Sequence, residues 1–254
     1  MILDRFKLDG QAALVTGAGR GLGRAMAVAL AEAGADVAGL GRGAQDETAA
    51  RVRALGRRYL PLLLDLRATH AADLSAVVAQ VTAELGRLDI LVNNAGVIHR
   101  APVLDYSEQD WDDVIQVNLK AVFLLSQAAG RVMAAQGRGK IINIASLLAM
   151  QGGIRIPAYT AAKSGVAGLT RLMANELAAQ GVNVNAIAPG YILTDFTSAL
   201  HADPQRAPAI LERIPAGRWG DPADLMGTVV FLASAASDYL HGAVVPVDGG
   251  WLAR

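Results

Sequence analysis

Short apolar runs alternate with longer segments of helical periodicity along the chain. In order, the runs are AALVTG, DVAGLG, YLPLLLDL, DILVNNAG, KIINIAS, VNVNAIAPG and AVVPVDGG. Runs that stay apolar, without alternation of apolar and polar residues, are typical of strands buried on both faces of a parallel sheet. The pattern predicts an α/β fold with a doubly wound, seven-stranded parallel sheet flanked by helices.

The segments between the runs carry apolar residues at helical spacing. The two longest predicted helices span about 110–133 and 158–181. Because no linker, repeat or low-complexity tract interrupts the series, we expect residues 1–254 to form a single domain. One long stretch of weak pattern, about 193–220, predicts either a lid over a binding site or a helical excursion on the surface.

The composition narrows the function classes. The chain has 23 Lys plus Arg and 23 Asp plus Glu, so its overall charge favours neither nucleic acid nor an anionic membrane, and a small-molecule substrate is expected. It has no cysteine, and its four histidines show no metal-ligand spacing. The opening MILDRFKLDG breaks its apolar residues with charges, unlike a signal peptide. We therefore expect a cytoplasmic protein without a catalytic metal.

A glycine cluster follows the first predicted strand in the stretch TGAGRGLGRAM. Glycines at this position let the backbone turn tightly and approach a pyrophosphate at a helix N-terminus. The spacing differs from the common Gly-x-Gly-x-x-Gly fingerprint, and a tight turn alone also uses glycine. Its place after the first strand predicts a dinucleotide site in a Rossmann-type domain. The residues of this loop are Gly17, Arg20, Gly21, Leu22 and Gly23.

The ends of the next three strands extend the predicted cofactor site. The position where an acid would hold a ribose hydroxyl is Gly41, and Arg42 follows it. Arg42 and Arg20 could clamp a 2′-phosphate, which slightly favours NADP and leaves NAD open. The other candidate contacts are Asp65 and Leu66 after the third strand and Asn94, Ala95 and Gly96 after the fourth.

A tyrosine, a lysine and a serine are the candidates for chemistry. Tyr159 and Lys163 lie four residues apart, a helical spacing that places them on one face. A nearby ammonium favours the phenolate and makes a tyrosine usable as a proton donor and acceptor. Ser146 ends the fifth run, at the sheet edge where open α/β folds bind ligands. The three side chains can therefore converge on one carbonyl oxygen.

The motifs TGAGRGLG, NNAG, VNLK, YTAAK and APG, together with Ser146, resemble those of the short-chain dehydrogenases/reductases over essentially the whole chain. The resemblance implies reversible hydride transfer between a nicotinamide cofactor and a carbinol carbon, with Tyr159 as the catalytic acid/base. It implies that Lys163 lowers the pKa of Tyr159 and holds the nicotinamide ribose, and that Ser146 hydrogen-bonds the substrate oxygen. Asn118, in VNLK, would hold a water that relays protons to Lys163.

The same resemblance assigns the segment PGYILT to the nicotinamide. The contacts would come from Pro189, Gly190, Ile192 and Thr194. The family also implies a homotetramer, formed through the two long helices and the C-terminal strand. The alternative of another class is a nonenzymatic dinucleotide-binding regulator with the same fold, although such a protein would not need the serine, tyrosine and lysine.

Further stretches, among them QGGIRIPAYTAAKSG and VDGGWLAR, resemble family members that act on keto-deoxy sugar acids. A substrate carboxylate calls for a cation, ideally a bidentate arginine. We expect at least one of Arg100 and Arg155 to hold it, and Arg213 and Arg218 are further candidates.

The stretch YILTDFTSAL departs from the more polar, Asn-rich sequence expected of those relatives. Asp195 and Phe196 are therefore expected to reshape the substrate pocket. Reduction of another carbonyl, in a sugar, polyol, ketone or 3-oxoacyl thioester, is the alternative reaction.

Overall fold

Seven parallel strands form one sheet in the computed structural model, which describes residues 1–254. The sheet order is β3-β2-β1-β4-β5-β6-β7. Each strand coincides with a predicted run, with β5 beginning one residue earlier, so the predicted fold class is confirmed. The strands are β1 (Ala12–Thr16), β2 (Asp36–Gly41), β3 (Tyr59–Leu63), β4 (Ile90–Asn93), β5 (Gly139–Ile144), β6 (Val182–Pro189) and β7 (Val244–Val247).

Helices cover both faces of this sheet, and each face has its own apolar core. Ala13 and Val15 of β1 pack into one core, and Ala12 and Leu14 into the other. Because alternate residues serve opposite cores, the strand must be apolar throughout. The helices are α1 (Gly21–Glu32), α2 (Asp46–Ala54), α3 (Ala71–Leu85), α4 (Glu108–Ile115), α5 (Ala121–Gln136), α6 (Pro157–Leu177), α7 (Ser198–His201), α8 (Arg206–Arg213) and α9 (Met226–Ala233).

The strand order reverses between β1 and β4, and a crevice opens there at the carboxyl ends of the strands. The hydroxyl of Thr16, the last residue of β1, accepts hydrogen bonds from the amides of Asn94 and Ala95 at 2.9 and 2.8 Å. The Asn94 side-chain amide donates to the Thr16 carbonyl at 2.8 Å. These bonds fix the end of β4 against the end of β1, beside the glycine loop.

One predicted helix is interrupted in the structure, and the weakly patterned stretch is partly helical. The helix predicted over 110–133 is divided by one π-helical turn, Gln116–Lys120, between α4 and α5. The weakly patterned stretch 193–220 contains the short helices α7 and α8. None of the helices is both long and apolar enough to cross a membrane.

Candidate active site

A cavity of about 1140 Å³ opens at the carboxyl edge of the sheet. This volume exceeds the ~300–1,000 Å³ that is typical of a pocket for one small ligand, so a dinucleotide and a small substrate can share it. Every predicted cofactor contact lines this cavity. They are Gly17, Arg20, Gly21, Leu22, Gly23, Gly41, Arg42, Asp65, Leu66, Asn94, Ala95, Gly96, Tyr159, Lys163, Pro189, Gly190, Ile192 and Thr194.

The glycine loop has no room for side chains. A Cβ at Gly23 would lie 2.1 Å from the carbonyl oxygen of Gly17 and 2.6 Å from the Asn94 side-chain nitrogen. Gly17 itself has a φ of 69°, in the region that favours glycine. Arg20, at the N-cap of α1, makes no side-chain capping bond. The loop and the uncapped first turn therefore fit a pyrophosphate, which the backbone amides would bind.

The end of β2 carries a cation and no acid. Arg42 lines the cavity, its side chain is exposed, and it forms no ion pair. Asp36, at the start of β2, pairs instead with Arg58 at 2.7 Å. Without a carboxylate to bind the ribose 2′-hydroxyl, and with an unpaired arginine in place, this end of the cavity suits a 2′-phosphate.

The two other charged groups expected at the cofactor already have partners. Asp65 pairs with Arg67 and accepts its backbone amide, and these contacts lower the pKa of Asp65 to about 2. Arg20 pairs with Asp195 at 3.1 Å, across the mouth of the cavity. Arg20 thus connects the glycine loop to the stretch 193–220, a contact that the sequence alone did not predict.

Ser146, Tyr159 and Lys163 come together in the cavity from two elements. Ser146 lies just beyond β5, and its hydroxyl accepts the Leu148 amide at 3.2 Å. Pro157 begins α6, where its missing amide costs no hydrogen bond, and so places Tyr159 in the first turn. Lys163, one turn later, is buried and donates to the Ile144 carbonyl at 2.6 Å.

Burial controls the protonation of this pair. Burial raises the pKa of Tyr159 to about 12, although the Ser146 hydroxyl and the Arg100 guanidinium act in the opposite direction. Burial also lowers the pKa of Lys163 to about 8. The Lys163 nitrogen lies 5.6 Å from the Tyr159 ring centroid and donates to the Ile144 carbonyl, and the predicted lowering of the Tyr159 pKa by Lys163 stays a prediction. At neutral pH the phenol is protonated and suited to donating a proton to a carbonyl oxygen.

Asn118 lies behind the cavity and does not line it. Its side chain is fully buried in the π-helical turn. The side-chain oxygen accepts the Val97 amide at 2.8 Å, and the nitrogen donates to the Val97 carbonyl at 2.9 Å. Asn118 therefore fixes the segment after β4, and its role toward Lys163 stays a prediction.

The stretch 193–220 contributes several lining residues to the cavity. Its two ends are joined, since the Leu193 amide donates to the Gly220 carbonyl at 2.8 Å. Phe196 lies with its ring 5.8 Å from that of Tyr159, centroid to centroid. Phe196 therefore forms an aromatic wall beside Tyr159.

The arginines predicted for a substrate carboxylate divide into two groups. Arg100 lines the cavity and donates to the Phe196 carbonyl at 3.3 Å, and Arg213 lines it while stacking 4.2 Å from the centroid of Trp251. Arg155 is exposed and does not line the cavity, because its left-handed backbone, with φ 64°, serves to bond the Ala101 amide through its carbonyl. Arg218 pairs with Asp224 outside the cavity.

The cavity carries a local excess of positive charge in a chain with no net charge. Seven cationic side chains line it, against two carboxylates, Asp65 and Asp195. Both carboxylates are already paired with arginines. The cations without an acidic partner are Arg42, Arg100, Lys163, Arg206 and Arg213.

A dinucleotide cradle next to a serine, a tyrosine and a lysine on α6 defines the class of protein. The chain belongs to the short-chain dehydrogenase/reductase family, since residues 17–252 match the family model described as Enoyl-(Acyl carrier protein) reductase. It is therefore an NAD(P)-dependent oxidoreductase, and the alternative of a nonenzymatic regulator is set aside. No group of three or more metal-binding side chains is present.

Three relatives cover essentially the whole chain. A 2-dehydro-3-deoxy-D-gluconate 5-dehydrogenase of Escherichia coli K12 is 58% identical, with both chains covered completely. A crystal structure from Agrobacterium tumefaciens with bound NADP, described as a candidate 2-deoxy-D-gluconate 3-dehydrogenase, is 57% identical and has a TM-score of 0.92 over 99% of this chain and 100% of that chain. A gluconate 5-dehydrogenase of Burkholderia cenocepacia, in complex with NADP and tartrate, is 41% identical and has a TM-score of 0.94 over all of both chains.

Sequence reasoning missed several residues of the substrate side. Gln151, Tyr191, Arg206 and Trp251 all line the cavity. Arg206 belongs to the stretch 193–220, for which a lid is one of the two predictions. Gln151, Tyr191 and Trp251 belong to the stretches QGGIRIPAYTAAKSG, PGYILT and VDGGWLAR, in which the resemblance to the family was the available signal.

Proposed function

We propose that this chain catalyses the reversible oxidation of 2-dehydro-3-deoxy-D-gluconate at C5 with NADP, giving the 2,5-diketo acid. The observation that carries the proposal is the set of unpaired cations that line a cavity in a neutral chain. Unpaired arginines favour anionic ligands, and a sugar acid and NADP are both anionic. The relatives named above, which act on sugar acids by their names, support the same substrate class.

Three side chains would handle the reacting oxygen. Tyr159 would donate a proton to the C5 carbonyl in reduction and accept it from the hydroxyl in oxidation. Ser146 would hold the same oxygen through its hydroxyl. Lys163 would bind the nicotinamide ribose, and Asn118 would hold the water that supplies Lys163 with protons. The nicotinamide, when bound, accepts the hydride that leaves the carbinol carbon.

Arg42 supports NADP over NAD. It follows Gly41, the last residue of β2, which stands where an NAD enzyme usually carries an acid, and it has no acidic partner in the structure. Related structures with bound NADP agree with this preference. We assign the 2′-phosphate to Arg42 alone, because Arg20 is paired with Asp195.

We propose that residues 193–220 form a lid over the substrate. The joined ends of the stretch make it a unit, and Phe196 and Arg206 line the cavity from it. The ion pair between Arg20 and Asp195 would hold this unit against the glycine loop. A lid of this kind excludes water from the reacting carbon.

A homotetramer in the cytoplasm is the assembly and location that we propose. The exposed apolar side chains of Phe123 on α5 and Leu172 on α6 support a subunit interface through these helices. Light scattering of the purified protein tests the assembly, and a monomer would contradict it.

Product identification tests the proposed function. Purified protein is incubated with NADP and 2-dehydro-3-deoxygluconate, and in parallel with a polyol, a simple secondary alcohol and a 3-hydroxyacyl thioester. We expect a diketo acid from the first incubation, identified by NMR and mass. Faster turnover of any of the uncharged alternatives would contradict a sugar acid as the substrate.

A further inference from the structure

Arg206 is a partly buried cation that makes no polar contact through its side chain. It lies at the first position of α8, and its guanidinium forms neither a hydrogen bond nor an ion pair. The nearest acid along the chain, Asp203, uses its carboxylate to accept the amides of Gln205 and Arg206 at 2.9 and 3.0 Å. The Asp203 carboxylate therefore orders the start of α8, and its charge attracts that of Arg206, but the two side chains form no ion pair and Arg206 lines the cavity.

Arg100 also lines the cavity. It follows β4, in the fixed body of the domain, and its one hydrogen bond is to the Phe196 carbonyl at 3.3 Å. Burial lowers the pKa of Arg100, and repulsion from the Arg206 charge lowers it further. The same Arg206 charge opposes the burial-induced rise in the pKa of Tyr191, on the segment after β6. The positive charge of Arg206 therefore acts on both Arg100 and Tyr191.

Two like charges around one partly buried space are unfavourable unless an anion lies between them. A planar carboxylate has two oxygens and can accept hydrogen bonds from two guanidinium groups at once. The two acids of the cavity cannot serve, because Arg67 and Arg20 already hold them. Asp203 attracts the Arg206 charge but does not pair with its guanidinium, so an anion that bonds both arginines would come with a ligand.

We propose that Arg206 and Arg100 form a two-armed site for the substrate carboxylate, with one arm on the lid and one on the body of the domain. This inference rests on the proposed function and deepens it. Arg206 is then the residue that distinguishes a sugar acid from the corresponding neutral sugar alcohol. Because one arm is on the lid, an acid substrate holds the lid over the reacting carbon and a neutral one does not.

Two ligands that differ only at the carboxylate test this site. D-gluconate and D-glucitol have the same chain of hydroxyls, and neither can be oxidised when the enzyme is loaded with NADPH. Their binding to the NADPH complex is measured by isothermal titration calorimetry. The variants are Arg206→Gln and the charge-retaining Arg206→Lys. Arg155→Gln is the matched control, since it removes one positive charge from an exposed side chain outside the cavity.

The parent is expected to bind gluconate more tightly than glucitol. Arg206→Gln should weaken gluconate binding about tenfold or more, as for loss of a charged hydrogen-bond partner, and leave glucitol binding within about twofold. Arg206→Lys should restore part of the gluconate affinity, and Arg155→Gln should behave as the parent. Melting temperatures near that of the parent would show that the variants are folded.

Two results would overturn the assignment of Arg206. In one, Arg206→Gln keeps the affinity of the parent for gluconate; in the other, it weakens gluconate and glucitol equally. Failure of the proposed function is a different result, in which the parent itself binds glucitol as tightly as gluconate. That outcome would refute a sugar-acid substrate, and the carboxylate site with it.

Discussion

Replacing Lys163 by methionine should stabilise the fold while it abolishes turnover. Lys163 is only 4% exposed, and its ammonium has a single partner, the Ile144 carbonyl. No acid neutralises it. Methionine keeps most of the apolar stem and removes the buried charge.

The pKa of Lys163 sets the size of the expected gain in the free energy of unfolding. The pKa falls from 10.5 to about 8 on burial. At about 1.4 kcal/mol for each pKa unit, the charged group costs the folded state roughly 3 kcal/mol at pH 7. Loss of the hydrogen bond to Ile144 offsets about 1–2 kcal/mol of this. The variant should therefore gain about 1–2 kcal/mol, or about 2–8 °C in melting temperature.

The pH dependence of the stability difference between variant and parent distinguishes removal of the buried charge from simple repacking. Because the folded pKa lies below the unfolded one, the unfolded chain binds more protons between about pH 8 and 10.5. The stability of the parent at this site therefore rises with pH across that window. The advantage of the variant should be full at pH 7 and lost by about pH 10.5, where the missing hydrogen bond to Ile144 leaves the variant no more stable than the parent.

Calorimetric melting of both proteins at several pH values provides the assay. Lys140→Met is the matched control, because Lys140 is also partly buried but pairs with Asp238 at 2.8 Å. This control should show no comparable gain in stability. A Lys163→Met protein that melts below the parent at pH 7, or a difference that does not shrink toward pH 10.5, would refute the reasoning.

Two further predictions concern the cofactor end of the cavity. Gly23→Ala should abolish NADP binding and lower the free energy of unfolding by about 2 kcal/mol or more, because its Cβ would overlap the Gly17 carbonyl. Binding and melting assays check this prediction. The control is Gly227→Ala, whose Cβ meets nothing within 4 Å. A Gly23→Ala protein that binds NADP normally would contradict the cradle. Arg42→Gln should raise the KM for NADP about tenfold and leave that for NAD within about twofold, as a charged partner of the 2′-phosphate is lost. Equal changes for both cofactors in initial-rate measurements would contradict that role.

The sequence predicted the sheet, the glycine loop and the placement of Tyr159 and Lys163 one helical turn apart, because all three depend on local patterns. A buried parallel strand such as β1 must be apolar on both faces, so its signal is continuous. The glycines around Gly23 and the spacing of Tyr159 and Lys163 are likewise properties of one turn or one helix. Their positions at the carboxyl edge then follow from the topology alone.

What the sequence did not predict depends on contacts between distant segments. The π-helical turn Gln116–Lys120 has no local marker that separates it from an ordinary helix. Arg155 lies within the family-like stretch QGGIRIPAYTAAKSG, but it is exposed and does not line the cavity, and its left-handed backbone accepts a hydrogen bond from the Ala101 amide. The stretch 193–220 brings Arg206 to the cavity and Asp195 to Arg20, and both placements depend on how this stretch packs against distant parts of the chain.

An absorbance assay tests both the proposed substrate and the proposed role of Tyr159. The substrate is 2-dehydro-3-deoxygluconate, and the absorbance of the reduced nicotinamide is recorded over time. Parent and Tyr159→Phe proteins are assayed with NADP and NAD in parallel. We expect turnover by the parent, faster with NADP than with NAD, and none above background in Tyr159→Phe. A parent that turns this substrate over with neither cofactor, or a Tyr159→Phe protein that matches the parent, would contradict this expectation.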